Sequence, residues 1–230
     1  MFFRYFDKYY WLLIVPAALI ALWAQIKVKT TFARYSSYRT RGGQTAASVA
    51  RMILDRNGLY NVKIERIGGH LSDHFDPRTN VVRLSDSVYS SSSIAAIGVA
   101  AHECGHAVQY SKEYFPMKIR AAMIPITNIG SSIGMPLAIF GIIFSIEWLS
   151  MIGIVLFTAV TLFQLVTLPV ELDASYRAIN TLRDEGILEY DELYGAKKVL
   201  TAAALTYVAA LVSAIASLLR LILLRRDNDN

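Results

Sequence analysis

Four long runs of apolar residues divide the 230-residue chain. They cover residues 9–26, 121–146, 148–170 and 199–219. Each run is close to the roughly 18–26 residues that a helix needs to cross a bilayer. We therefore predict about four transmembrane helices, the second and third joined as a tight hairpin at Glu147. A long buried helix of a soluble protein is the alternative for the fourth run, which is rich in alanine and serine.

Basic residues flank these runs unevenly. Five of them directly follow the first run, and others precede the second run or separate the third from the fourth. The positive-inside rule then places residues 27–120 and 171–198 in the cytoplasm, although Arg225 and Arg226 near the C-terminus argue against that orientation. No small-x-small cleavage site closes the first run, so we interpret it as an uncleaved anchor.

The overall composition agrees with a membrane protein. Hydrophobic residues make up 54% of the chain, and the formal net charge is +5. In a membrane protein the positions of basic residues report orientation, so this charge does not indicate a nucleic-acid partner. We expect membrane lipid and no nucleic acid around the protein. The only cysteine is Cys104, which excludes an internal disulfide.

The polar segment between the first two runs shows mixed periodicity. Residues 45–58 read as a short amphipathic helix, and residues 61–67 alternate like a strand that could pair with residues 81–84. The residues between these strands contain turn signals and read as a loop. Ser85-Asp86 can cap the helix that follows. The prediction is a small α+β unit.

These patterns predict five segments in chain order. They are a transmembrane anchor (1–28), a cytoplasmic metal-binding portion (29–120), a transmembrane hairpin (121–170), a second cytoplasmic segment (171–198) and a fourth transmembrane helix with a tail (199–230).

The helix predicted after this unit carries a His-Glu-x-x-His motif. Residues four apart share a helix face, so His102 and His106 can direct their imidazoles at one point. Two imidazoles at that spacing can hold one Zn²⁺. A glutamate directly after the first histidine, here Glu103, can take a proton from a zinc-bound water.

A catalytic zinc usually has three protein ligands, so one more is needed. We favour Glu171, which directly follows the third apolar run. It shares a helix face with small residues that would let this helix approach the histidines. Asp173 is the competitor, and its other role would be an ion pair with Arg177 four residues later.

Three further residues carry weaker signals. His74, in the predicted loop, is a candidate contact for substrate or transition state, and His70 is a weaker one. Cys104 lies on the wrong helix face to join the two motif histidines, so we expect it to pack in the interior.

Three segments of the chain resemble the YugP-type membrane zinc metallopeptidases of bacteria. They are SDHFDPRTNVVRLSDSVY (72–89), AAIGVAAHECGHAVQY (95–110) and LPVELDASYRA (168–178). The third is also similar to the broader HtpX-like class, in which a Glu-x-x-Ala-Asp sequence supplies a zinc ligand. Here Ser175 replaces the final acid, and Phe75 stands where the family typically has tyrosine. The resemblance implies a zincin-like metal domain joined to membrane helices, a bacterial membrane location and peptidase activity.

The sequence thus favours a membrane-bound zinc endopeptidase that acts on proteins or peptides at the cytoplasmic face. The exposed edge of the 80–84 strand could hold an extended substrate. An intramembrane protease of the site-2 type, with Asp173 as a ligand, is one alternative. A non-enzymatic membrane scaffold with a structural zinc is another. The sequence does not indicate the oligomeric state.

Overall fold

The computed structural model describes residues 7–229, which form seven α-helices and one three-stranded sheet. The helices are α1 (Val15–Ser36), α2 (Ala46–Arg56), α3 (Ile94–Ser111), α4 (Phe115–Ile129), α5 (Met135–Ile143), α6 (Glu147–Asp184) and α7 (Tyr190–Asp229). The strands are β1 (Lys63–Ile67), β2 (His74–Asp76) and β3 (Val81–Ser85). Short π-helical segments, Tyr10–Ile14 and Gly130–Gly134, lead into α1 and join α4 to α5.

The four apolar runs all form helices of membrane-spanning length. The helical stretches that are long and apolar enough are Tyr10–Ser36, Phe115–Ile143, Glu147–Asp184 and Tyr190–Asn228. This confirms the prediction of four candidate transmembrane helices in an α+β protein. The third helical stretch extends past its apolar run, so Glu171 belongs to the same continuous helix as that run.

The chain forms two compact units. The first comprises Met1–Gln25, Lys118–Pro169 and Thr206–Asn230. Small residues allow very close packing of α5 on α6 in this unit. A Cβ atom on Gly141 would lie 2.2 Å from the backbone nitrogen of Ser150, and one on Gly153 would lie 2.2 Å from that of Ala138. Glycine at these two positions therefore permits the helical hairpin that the sequence predicts.

The second unit comprises Ile26–Met117 and Val170–Leu205 and contains the sheet. The strand order is β1-β3-β2. The predicted pairing of the first strand with β3 is present, but the two run parallel, with Ile64 opposite Val82. The hairpin is instead formed by β2 and β3, which pair antiparallel around residues 77–80. Residues 74–76, predicted as loop, are therefore a strand.

Two local predictions, one on the substrate-binding strand and one on the cap of α3, are wrong. The 80–84 strand is the central strand of the sheet, so its edges are both paired and cannot accept a substrate strand. The cap of α3 is Ser93, whose hydroxyl accepts from the backbone N–H of Ala96. Ser85 and Asp86 lie too far upstream to cap it, because a turn separates β3 from α3.

The core of the second unit lies between α2, α3 and the sheet. Thr45 caps α2, and Val49, Ile53 and Leu54 face the interior as the periodicity predicts. Cys104 is fully buried in this core, and its thiol contacts the carbonyl oxygen of Ala50. Packing of α2 behind α3 leaves the opposite face of α3 available for the functional side chains.

Candidate metal centre

Helices α3 and α6 bring two histidines and one carboxylate together. One ligand atom from each of His102, His106 and Glu171 lies within 4.8 Å of the others. Nε2 of His102 is 3.2 Å from Oε2 of Glu171, and Nε2 of His106 is 3.4 Å from the same oxygen. All three side chains are largely buried, with 12%, 9% and 2% of their surface exposed in that order.

This geometry fits a zinc ion. A tetrahedral zinc with ligand bonds of about 2.0–2.1 Å holds its ligand atoms about 3.3–3.4 Å apart, which matches the two distances to Glu171 Oε2. Two imidazoles and one carboxylate are also a donor set that catalytic zinc sites use. Within residues 7–229, no fourth histidine, cysteine, aspartate or glutamate joins the group. The fourth coordination position would therefore be free for water or substrate.

Close packing of α3 on α6 makes this convergence feasible. A Cβ atom on Gly105 would lie 2.7 Å from the carbonyl oxygen of Ala174. Ala174 and Ala178 are buried in the same interface. The small residues predicted on the helix face of Glu171 thus pack against a glycine inside the histidine motif itself. This close packing lets the Glu171 carboxylate reach both imidazoles.

The two imidazoles are each held through their Nδ1 atoms. The Nδ1 atom of His102 lies 3.1 Å from the hydroxyl of Ser175. With the Nδ1–H donating to that hydroxyl, the Nε2 lone pair is free for a metal ion. Ser175 therefore contacts the candidate metal ligand His102, and it stands at the position where the HtpX-like pattern has an acid.

His106 is anchored through a longer chain of hydrogen bonds. Its Nδ1 atom lies 3.0 Å from Oε1 of Gln109, which is fully buried. The Gln109 amide donates to the carbonyl oxygen of Val170 and to Oδ2 of Asp173, both at 2.8 Å. Asp173 also accepts from Arg177 at 2.6 Å, which is the ion pair that the sequence predicts. Asp173 is outside the group of ligand atoms.

Glu103 is also buried, with 8% of its surface exposed. Its carboxylate makes no hydrogen bond or ion pair with another residue of the described range 7–229. A buried carboxylate is costly without a partner. Water or a positive ion beside the histidines would supply one.

The other candidates are not members of the group of ligand atoms. His74 is an exposed residue of β2, and its Nδ1 atom lies 2.9 Å from the carbonyl oxygen of Ser72. His70 is exposed in the loop before β2 and contacts the ring of Phe32. The Cys104 thiol faces the carbonyl oxygen of Ala50 and lies outside the group of ligand atoms. Burial raises the pKa of this thiol, so it is neutral in the core.

Two residues that support the candidate site, Gly105 and Gln109, were not predicted from the sequence. Gly105 occupies a variable position of the motif, where any residue fits the pattern. Gln109 lies three residues after His106, a spacing that places both on one helix face. That spacing could have indicated the contact between Gln109 and His106. The other partners of Gln109, Val170 and Asp173, are more than sixty residues away in sequence, so local spacing does not indicate them.

Comparison with known proteins points in the same direction as this geometry. Residues 10–226 match the family described as "Putative neutral zinc metallopeptidase". The chain is 44% identical over 212 residues to the "Putative membrane protease YugP" of Bacillus subtilis (strain 168), which covers 92% of this chain and 94% of that protein. No solved structure matches the chain. The name of the relative and the four apolar helices together indicate a multi-pass membrane protein.

Proposed function

Because the chain belongs to this family of neutral zinc metallopeptidases, we propose that it is a membrane-bound zinc endopeptidase. The observation that carries the proposal is the convergence of His102, His106 and Glu171 beside a buried Glu103. Three ligands with a free fourth position are the arrangement of a catalytic rather than a structural zinc site.

Each residue of the group has a definite task. His102 and His106 would bind the ion through Nε2, and Glu171 through Oε2. Bound zinc would supply a Lewis acid and a water molecule of lowered pKa. Glu103 would take the proton of the attacking water on its carboxylate and pass it to the nitrogen of the leaving amine. The burial of Glu103 excludes bulk water from that proton.

The substrate would be an extended protein or peptide segment. Strand β2 is an edge of the sheet and contacts α3 through the rings of Phe75 and Tyr110, whose centroids lie 5.9 Å apart. The unpaired side of β2 could add a substrate strand by backbone hydrogen bonds. His74 lies in this strand, so its proposed contact would be with bound substrate.

The proposal includes an orientation in the membrane. The basic residues that follow the first apolar run support a cytoplasmic position for the metal-binding residues. In the bacterial cytoplasmic membrane, the peptidase would then act at the inner face.

The test uses the purified full-length chain, casein as an unstructured substrate and zinc analysis by mass spectrometry. Glu103→Gln should keep about one zinc per chain and lose casein cleavage, because the amide cannot accept the proton. Glu171→Gln should lose zinc and activity together. Asp184→Asn is the matched control, since this exposed carboxylate lies on the same helix as Glu171. Wild-type cleavage by Glu103→Gln would overturn the mechanism.

The alternatives find less support. An intramembrane protease of the site-2 type would need Asp173 as a zinc ligand. This carboxylate instead accepts a hydrogen bond from Gln109 and forms an ion pair with Arg177. A structural zinc site would need a fourth protein ligand, and none of the described residues joins the three.

A further inference from the structure

A polar cavity lies between α1 and α7 in the unit that contains the sheet. Its volume is about 370 Å³. The cations on its wall are Lys27, Arg34 and Lys198, and no acidic residue lines it. A cavity of this size falls within the range of about 300–1,000 Å³ that small-molecule sites occupy.

The lining residues form two matched helix faces. On α1, Lys27, Thr31 and Arg34 follow at intervals of four and three residues, so they share one face. On α7, Lys198 and Thr201 are three residues apart and also share a face. Both faces thus present cationic groups and hydroxyl donors toward the same space.

Some basic residues of the same unit pair with an acidic side chain. Arg41, Arg51 and Arg66 each form an ion pair with an acidic side chain. No ion pair to Lys27, Arg34 or Lys198 exists within residues 7–229, although Arg34 and Lys198 each lie over a tyrosine ring, at 5.8 Å and 5.0 Å from its centroid. Three like charges around one cavity repel each other unless an anion is bound between them.

The sequence indicates where this anion comes from. Lys27 is the first residue after the apolar run 9–26, and Lys198 is the last residue before the run 199–219. Residues at such junctions lie at the level of the lipid headgroups. Basic pockets between transmembrane helices at this level bind anionic phospholipids. The apolar side chain of Leu205 also lines the cavity and would contact the glycerol and upper acyl part of a lipid.

We propose that the α1/α7 cavity binds the phosphate headgroup of one anionic phospholipid. The three cations and the threonine hydroxyls contact the phosphate oxygens, while the tyrosine rings hold Arg34 and Lys198 in place. This site is separate from the metal-binding residues and does not depend on peptidase activity.

The test is native mass spectrometry of the delipidated full-length protein with phosphatidylglycerol or phosphatidylcholine. The pocket variant combines Lys27→Gln, Arg34→Gln and Lys198→Gln. The control combines Lys29→Gln, Arg39→Gln and Lys197→Gln, which removes the same charge from neighbouring positions outside the cavity. We expect one tightly held phosphatidylglycerol, an affinity loss of at least about tenfold in the pocket variant and little change in the control.

Three outcomes would overturn the proposal. One is an equal loss in both triple variants, which indicates unspecific attraction to the basic surface. The second is equal retention of phosphatidylcholine. The third is displacement of the lipid by millimolar inorganic phosphate, which would make a soluble phosphate the ligand. The single variants Lys27→Gln and Lys198→Gln, each expected to weaken binding, keep the test decisive if the triple variant does not fold.

Discussion

The side-chain amide of Gln109 donates a hydrogen bond to the carboxylate of Asp173, with 2.8 Å between Nε2 and Oδ2. The other amide hydrogen is directed at the carbonyl oxygen of Val170. Both donors of the amide are thereby used, and its oxygen is left to accept from Nδ1–H of His106. Asp173 thus orients Gln109, and Gln109 favours the tautomer of His106 whose Nε2 would be available to a metal ion at the candidate site.

This relationship predicts which substitutions at Gln109 the site tolerates. Gln109→Leu removes the acceptor, so we expect zinc affinity to fall by about 10–100-fold, measured by competition with a chelator. Gln109→Glu should also weaken zinc binding, because its second oxygen would meet the Val170 carbonyl and the Asp173 carboxylate. Wild-type affinity in Gln109→Glu would show that an acceptor at this position is enough.

Asp173 gives a second prediction that separates the two candidate third ligands. In Asp173→Asn the side-chain oxygen can still accept from Gln109, so zinc affinity should change by less than about threefold, while the charge that pairs with Arg177 is lost. Glu171→Gln is the comparison and should lose zinc. The opposite order, with zinc lost in Asp173→Asn and kept in Glu171→Gln, would restore the site-2 interpretation.

Ser175 carries the third prediction. Its hydroxyl is the partner of His102 Nδ1, so Ser175→Ala should lower zinc affinity. Ser175→Asp introduces the acid of the HtpX-like pattern. A carboxylate is a stronger acceptor than a hydroxyl, so this variant should bind zinc more tightly than the serine protein. Ser37→Ala, at an exposed position, is the control. Unchanged affinity in both Ser175 variants would show that His102 does not need this anchor.

The sequence predicted the parts of the site that depend on local geometry. The spacing of His102 and His106 defines one helix face wherever the helix lies in the fold, and the small residues after Glu171 mark a face that can pack closely. The sheet was harder to predict, because alternation shows that a segment is a strand but not which neighbour it joins or in which direction. The parallel pairing of β1 with β3, and the three-residue strand at His74, depend on contacts distant in sequence.

Gly105 carries the fourth prediction. Adding a methyl group in Gly105→Ala places Cβ 2.7 Å from the Ala174 carbonyl, and backbone cannot move aside as a side chain does. We expect α3 and α6 to separate, with a loss of about 1–3 kcal/mol in the free energy of unfolding and loss of zinc.

Gly98→Ala is the matched control on the same helix, since its Cβ would meet Ala196 at 3.4 Å, an ordinary contact. The unfolding midpoint and zinc content of both variants decide the question. Equal behaviour would show that the close approach is not required.

Cys104 tests whether the thiol beside the motif takes part in metal binding. It is the only cysteine, so labelling with a maleimide reports this one position. Burial raises the pKa of its thiol, and only the thiolate reacts quickly, so the native protein should remain unlabelled at pH 8 and react fully in denaturant. Because the thiol faces Ala50 rather than the histidines, removing zinc with a chelator should leave the labelling rate of the folded protein unchanged. Rapid labelling that zinc suppresses would identify Cys104 as a metal ligand and contradict the arrangement described for α3.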